Sequence, residues 1–196
     1  GYLLVRRLDY DRARVLWTRQ LAVERRRDRR DRSADCLQNL AGIDAELGNY
    51  PTACARFDEA VAELLKLGEP CRKLASLTLQ NLAITRWRAG EYAKALAACR
   101  QAMDLAAKPG EEALRAGVLI AEGDIQLDLG DIGRAETAHR QALAAATASG
   151  DADLIGLCNA TIGNDRRERG DFDGALAIYE AENIVEWWTE TSENEC

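Results

Sequence analysis

The chain has 196 residues, 47% of them apolar, and a formal net charge of −7. That length and apolar share suit one extended domain with a continuous core. No run approaches the roughly 18 uninterrupted apolar residues of a membrane span, and the acidic balance makes a general nucleic-acid role unlikely. The charge is uneven: residues 1–32 hold eleven Arg against five acids, which leaves the remainder near −13. The six cysteines form no CxxC pair, and the single histidine, His139, cannot complete a Cys/His metal set of ordinary spacing. Reduced, packed thiols in a cytoplasmic protein are the expectation. No signal-peptide pattern is present at the start. The chain opens on Gly1 partway through a repeat, which reads as a piece of a longer protein.

One stretch organises everything else. Glu46-Leu47-Gly48-Asn49-Tyr50 recurs as Ala89-Gly90-Glu91-Tyr92, Leu129-Gly130-Asp131-Ile132 and Arg169-Gly170-Asp171-Phe172, with a degenerate first copy at Leu8-Asp9-Tyr10. The anchors Tyr10, Tyr50, Tyr92, Ile132 and Phe172 lie 40, 42, 40 and 40 residues apart. A fixed period of this size signals stacked supersecondary units. In each copy a helix ends, Gly supplies a left-handed cap, a polar residue follows, and a second helix begins. The units expected are about 1–32, 33–69, 70–110, 111–150 and 151–182, with a separate acidic segment over 183–196.

In chain order, residues 1–8 read as the last turns of a truncated helix. A second helix runs from Tyr10 to about Glu24, with Ala13, Leu16, Trp17 and Leu21 on one face. The arginine-rich run Arg25–Arg32 precedes a helix start near Ser33. It is a solvated turn between repeats or, alternatively, a patch for phosphate or an acidic partner. No aromatic residue is interleaved with these arginines, which weakens base stacking. Unit two carries Leu37, Leu40, Ala41, Ile43 and Leu47, then Ala53, Phe57, Ala60, Val61 and Leu64. Unit three carries Leu79, Leu82, Ala83 and Trp87, then Ala95, Cys99 and Ala102. Its two extra residues fit the turn at Gly68-Glu69-Pro70 or the one at Lys108-Pro109-Gly110. Unit four carries Leu119, Gly123, Leu127 and Leu129, then Ala135, His139 and Ala142. Unit five carries Leu154, Ile162 and Gly163, then Ala175, Ile178 and Tyr179. Loops are short, so consecutive helices should pack antiparallel. Small residues at Ala41, Ala83, Gly123 and Gly163 let paired helices approach closely, while Phe57, Trp17 and Tyr179 fill the gaps between units.

Asn39-Leu40-Ala41 and Asn81-Leu82-Ala83, the Gly-polar-aromatic turns, and the small-large-small pattern of Ala53, Phe57 and Ala60 together resemble the tetratricopeptide repeat. The usual period of that family is 34 residues. A period of about 40 resembles its longer-helix subgroup, which includes Partner-of-Inscuteable scaffolds, bacterial Rap-type regulators and the repeat regions of large bacterial transcription activators. The resemblance implies an all-α, right-handed solenoid of antiparallel helix pairs, about four full repeats plus a truncated one, with first helices lining a concave face.

Carried over repeat by repeat, the resemblance implies a groove lined by Asp35, Gln38, Asn39, Gly42 and Glu46 in unit two. Unit three would add Leu77, Gln80, Asn81, Ile84, Trp87 and Arg88. Unit four would add Ile120, Asp124, Leu127 and Asp128, and unit five Thr161, Asn164, Arg167 and Glu168. Amide side chains can bond both the N–H and C=O groups of a peptide, and Trp87 can serve as an aromatic anchor. The competing reading has Asn39 and Asn81 tying repeats together and Trp87 in the core. The terminal-carboxylate clamp of chaperone-binding relatives is not matched, because Gln38 and Gln80 stand where its Lys would be. His139 reads as a packed, hydrogen-bonded residue rather than a catalytic one.

The last segment, Glu180 to Cys196, has six Glu and neither Lys nor Arg. Its Ile184, Val185, Trp187 and Trp188 either cap the last repeat or form a linear ligand for this groove or another. No nucleophile motif, phosphate loop or metal spacing is present, so the expectation is no enzyme and no cofactor. The functional expectation is a protein-interaction scaffold that binds a peptide or a partner helix. The alternative is a ligand-sensing arm of a larger bacterial signalling or transcription regulator.

Overall fold

A computed structural model describes residues 2–181, and side-chain environments from Asp9 onward. Among these residues the chain is all-helical. The helices are α1 (Tyr2–Arg26), α2 (Arg30–Glu46), α3 (Tyr50–Leu67), α4 (Arg72–Arg88), α5 (Tyr92–Leu105), α6 (Glu112–Asp128), α7 (Ile132–Ser149), α8 (Ala152–Glu168) and α9 (Phe172–Ala181), with a 3-10 turn at Glu69–Cys71. The chain divides into two compact units, Gly1–Ala106 and Ala107–Cys196. In the first, α2 packs on α3 and α4 on α5, with α1 against α2 and α3 against α4. In the second, α6 packs on α7 and α8 on α9, and α7 and α8 join the two pairs.

The turns inside the pairs share one geometry. Gly48, Gly90, Gly130 and Gly170 have φ between 76° and 86°. Each glycine N–H returns to the carbonyl three residues back, and the next N–H reaches five back, as in Gly48 to Ala45 (3.0 Å) and Asn49 to Asp44 (2.8 Å). These two bonds satisfy helix-end carbonyls that would otherwise lack partners. The helix after the turn is capped by the carbonyl of Asn49, Glu91, Asp131 or Asp171, which accepts from Ala53, Ala95, Ala135 or Ala175.

The first copy behaves differently. Leu8 stands where the others have Gly, and α1 runs unbroken from Tyr2 to Arg26. Without a residue that enters the left-handed region cheaply, the helix continues through the expected break. The packed face of α1 also differs from expectation. Leu16 is 65% exposed, whereas Leu21 and Glu24 are buried and Trp17 packs on the core. α2 starts at Arg30 rather than near Ser33. The turn before it repeats the five-back bond, Arg29 N–H to Glu24 carbonyl at 3.0 Å, but with Asp28 in the left-handed position at φ 52°. The arginine run is threaded with acids: Arg25 pairs with Glu59, Arg29 lies 3.9 Å from Glu24, Arg30 3.5 Å from Asp28 and Arg32 3.8 Å from Asp35. The two extra residues of the 42-residue interval from Tyr50 to Tyr92 are accommodated at the Glu69–Cys71 turn.

Second helices bury a small-large-small stripe four and three residues apart: Ala53, Phe57, Ala60; Ala95, Cys99, Ala102; Ala135, His139, Ala142. In α9 the stripe begins with buried Ala175 and half-buried Tyr179. Opposite lie small residues of the first helices. A methyl on Gly123 would stand 2.1 Å from His139 Nε2, and one on Gly163 2.5 Å from the Tyr179 ring. Cys36, Thr78, Val118 and Cys158 occupy one repeat position and are all buried. Burial pushes the Cys158 thiol up to about 11.

His139 is fully buried, with Nδ1 2.8 Å from Asp165 Oδ2 on α8 and Nε2 3.5 Å from Asp124 Oδ1 on α6. Burial alone would lower its pKa, but the two aspartates overcome burial and raise it to about 9. The imidazolium therefore ties α6, α7 and α8 together at neutral pH.

Three outcomes follow in urea denaturation. Asp28→Gly should stabilise the fold by about 0.5–1 kcal/mol by relieving a left-handed non-glycine residue. Gly123→Ala should cost roughly 1–3 kcal/mol through overpacking against the imidazole. His139 binds its proton more tightly folded than unfolded, so its stabilisation is complete below about pH 6.5 and is lost as pH rises through about 9. The fall is on the order of 3 kcal/mol. His139 is the only histidine, so His139→Gln should flatten the profile; an unchanged slope in that variant would refute the assignment.

Candidate functional site

A groove of about 720 Å³ in the first unit is bounded by α1, α2 and α4. Its size is in the range of binding pockets, and its walls mix polar side chains with apolar and aromatic ones. Helix α2 contributes Arg32, Asp35, Gln38, Asn39 and Gly42, which at spacings of three and four share one helical face. The opposite face of α2 is spent on the core through Leu37, Leu40 and Ala41. α1 contributes Tyr10, Trp17, Gln20 and Glu24, and α4 contributes Leu74 and Asn81. Cys36 and Ile43 complete the floor.

The groove lining holds two carboxyl groups, Glu24 and Asp35, and one guanidinium, Arg32, which lies 3.8 Å from Asp35. Glu24 is 3% exposed; its Oε1 accepts from Gln20 Nε2, while Oε2 has no hydrogen-bond partner. Burial raises the pKa of Asp35, Arg32 opposes the rise and Asp31 adds to it. Cys36 is also pushed up, first by burial and then by the charges of Glu24 and Asp35. The thiol is thus held neutral at the floor of an acidic groove.

The structure gathers some of the sequence-expected residues here and sends others elsewhere. Gln38, Asn39 and Asn81 meet at the groove, together with Asp35 and Gly42. Asn39 donates from Nδ2 to the Asp35 carbonyl (2.8 Å), a bond within its own helix rather than between repeats. Gln80 and Trp87 are half-buried on α4 and outside the groove lining. Glu46 and Arg88 are exposed and lie 3.5 Å apart as an ion pair bridging α2 and α4. In the second unit Asp124 is taken up by His139, and Asn164 Oδ1 accepts from the Tyr179 hydroxyl at 2.7 Å. Asp128 and Arg167 are exposed, Arg167 pairing with Glu168 at 3.1 Å. Ile184, Trp187 and Trp188 lie outside the described residues.

The α1 contribution was missed from sequence. The signal was available: Trp17, Leu21 and Glu24 fall at spacings of four and three, which places an acid in a core stripe. Among the described residues no cluster of three His, Cys, Asp or Glu could hold a metal ion, and no helix is long and apolar enough to cross a membrane.

Residues 33–108 match the family model described as tetratricopeptide repeat. Such repeats generally mediate protein–protein interaction, and their fold is typically a non-catalytic scaffold. A comparison with curated protein sequences finds no match. Among solved structures, BtubC (BKLC) from P. vanneervenii is 19% identical with a TM-score of 0.76, over 90% of this chain and 73% of that one. A kinesin light chain-like protein of Podosopora anserina with nearly identical TPR-like repeats is 15% identical with a TM-score of 0.71, over 93% of this chain and 89% of its own; a second structure of it scores 0.68 at 15% identity, over 92% and 88%. At these identities the likeness is one of fold: consecutive helix pairs of the TPR-like kind.

Proposed function

We propose that the chain is a noncatalytic interaction scaffold in which the groove of the first unit holds a segment of a partner protein. The observation that carries this reading is the convergence of Gln38, Asn39 and Asn81 on one groove of about 720 Å³. An extended peptide presents an N–H and a C=O at every residue, and each needs a partner once desolvated. Amide side chains supply both donor and acceptor without imposing a charge. A row of them three and four residues apart on α2, faced by Asn81 on α4, suits main-chain recognition. Trp17 offers the groove an aromatic surface that Trp87 does not, since Trp87 lies outside it. The 40-residue spacing supports membership of the longer-helix subgroup of these repeats. The buried thiols of Cys36, Cys99 and Cys158 suit a reducing compartment such as the cytoplasm. The acidic segment after Ala181, with Ile184, Trp187 and Trp188, remains a candidate cap or ligand in its own right.

The test selects dodecamer peptides from a random displayed library on the immobilised chain. Selected peptides should perturb the side-chain amide resonances of Gln38, Asn39 and Asn81. Asn39→Ala combined with Asn81→Ala should weaken them by about tenfold or more, with helical circular dichroism unchanged. Peptides that bind the double variant as well as the parent would show that the groove is not the site.

A further inference from the structure

We propose that the groove of the first unit is selective for a cationic side chain, and that Glu24 is the anchor that receives it. This rests on the groove reading above and names the partner chemistry it favours: an extended segment of a partner protein bearing arginine.

The starting observation is an incomplete carboxylate. Glu24 is 3% exposed, and only one of its oxygens is satisfied, by Gln20. Oε2 is buried with no hydrogen-bond partner, and it belongs to a residue that lines the groove. The nearest paired cation, Arg29, stands 3.9 Å away with its own side chain 56% exposed, beyond hydrogen-bond reach. A carboxyl oxygen withdrawn from water and left without a donor is costly, and a donor entering the groove relieves that cost.

The surroundings favour the same guest. Asp35 places a second carboxylate on the groove, against the single guanidinium of Arg32, which lies 3.8 Å from Asp35. Trp17 and Tyr10 present aromatic rings in the same lining, and a guanidinium stacks on such faces while its fork bonds a carboxylate. The Gln38, Asn39 and Asn81 amides remain for the main chain on either side. Arginine suits this arrangement better than lysine because its planar donors reach a carboxylate oxygen and an aromatic face together.

The experiment uses the intact chain and the displayed dodecamer selection. Groove-dependent peptides should be enriched in arginine. Replacing that arginine by citrulline, which keeps the shape and removes the charge, should weaken binding about tenfold or more. Glu24→Gln should erase the difference between the arginine and citrulline forms, and Asp35→Asn should reduce it. The citrulline comparison alters only the ligand, so it decides the matter even if Glu24→Gln fails to fold. Peptides that depend on Asn39 and Asn81 but carry no cation, or bind equally with citrulline, overturn this inference and leave the groove reading standing. A selection in which lysine forms bind as well as arginine forms overturns the guanidinium preference. Selection of no peptide sensitive to Asn39 and Asn81 removes both readings.

Discussion

Everything in this chain depends on how closely two helices of a pair can approach. The distance is set where a bulky residue of the second helix meets a residue too small to hold it off. Gly123 against His139 and Gly163 against Tyr179 show the limit, since a single added carbon would fall within 2.1 and 2.5 Å of the facing ring. Once two backbones are that close, the turn between them must reverse the chain in very few residues. The left-handed glycines at 48, 90, 130 and 170 do this while bonding the exposed helix ends. Core stripe, turn and groove face are therefore consequences of one steric decision repeated at a fixed period. The face of α2 that is not spent on its pair carries the amides and acids of the groove.

The parts legible in the sequence were those fixed by local backbone chemistry. Glycine followed by a polar residue, then a stripe at intervals of four and three, constrains conformation wherever it occurs, and four copies reinforce one another. The part that failed was α1. There the turn signal was read by analogy from Leu8-Asp9-Tyr10 although the residue that makes the turn possible was missing, and the helix ran on. Leu16 fits a helical stripe by its spacing from Ala13, Trp17 and Leu21, yet it is 65% exposed. The packed side was marked by Leu21 together with an acid, Glu24, and a buried acid is not something an apolar pattern reveals.

The groove was legible to a similar degree. The positions that the resemblance carries onto α2 and α4 bring Gln38, Asn39 and Asn81 to one concavity, whereas Gln80, at the repeat position of Gln38, stands outside its lining. Register did not reveal that Asp124 and Asn164 would be drawn to His139 and Tyr179. Those demands arise from the chemistry at the bulky position of a neighbouring helix, and sequence spacing within one helix carries no trace of them. Polar ties of this kind vary from copy to copy even though the backbone does not. Asp44 pairs with Arg56 inside the α2–α3 pair, whereas Arg86 reaches back from α4 to Asp58 on α3, at 2.9 Å from both carboxylate oxygens.

That variation has a bearing on how a chain of near-equivalent bricks finds a single order. Repeats invite misassembly, because any second helix can in principle receive any first helix. The bulky positions here are Phe57, Cys99, His139 and Tyr179, and the position of Asp165 is held in the other copies by Ile43, Thr85 and Ile125. Only one threading brings the buried Asp165 to an imidazolium; seating α8 on a phenyl ring or a thiol would strand its charge in an apolar setting at a cost of several kcal/mol. The lone histidine thus acts as an address label, written in charge rather than shape, that distinguishes one junction from its look-alikes.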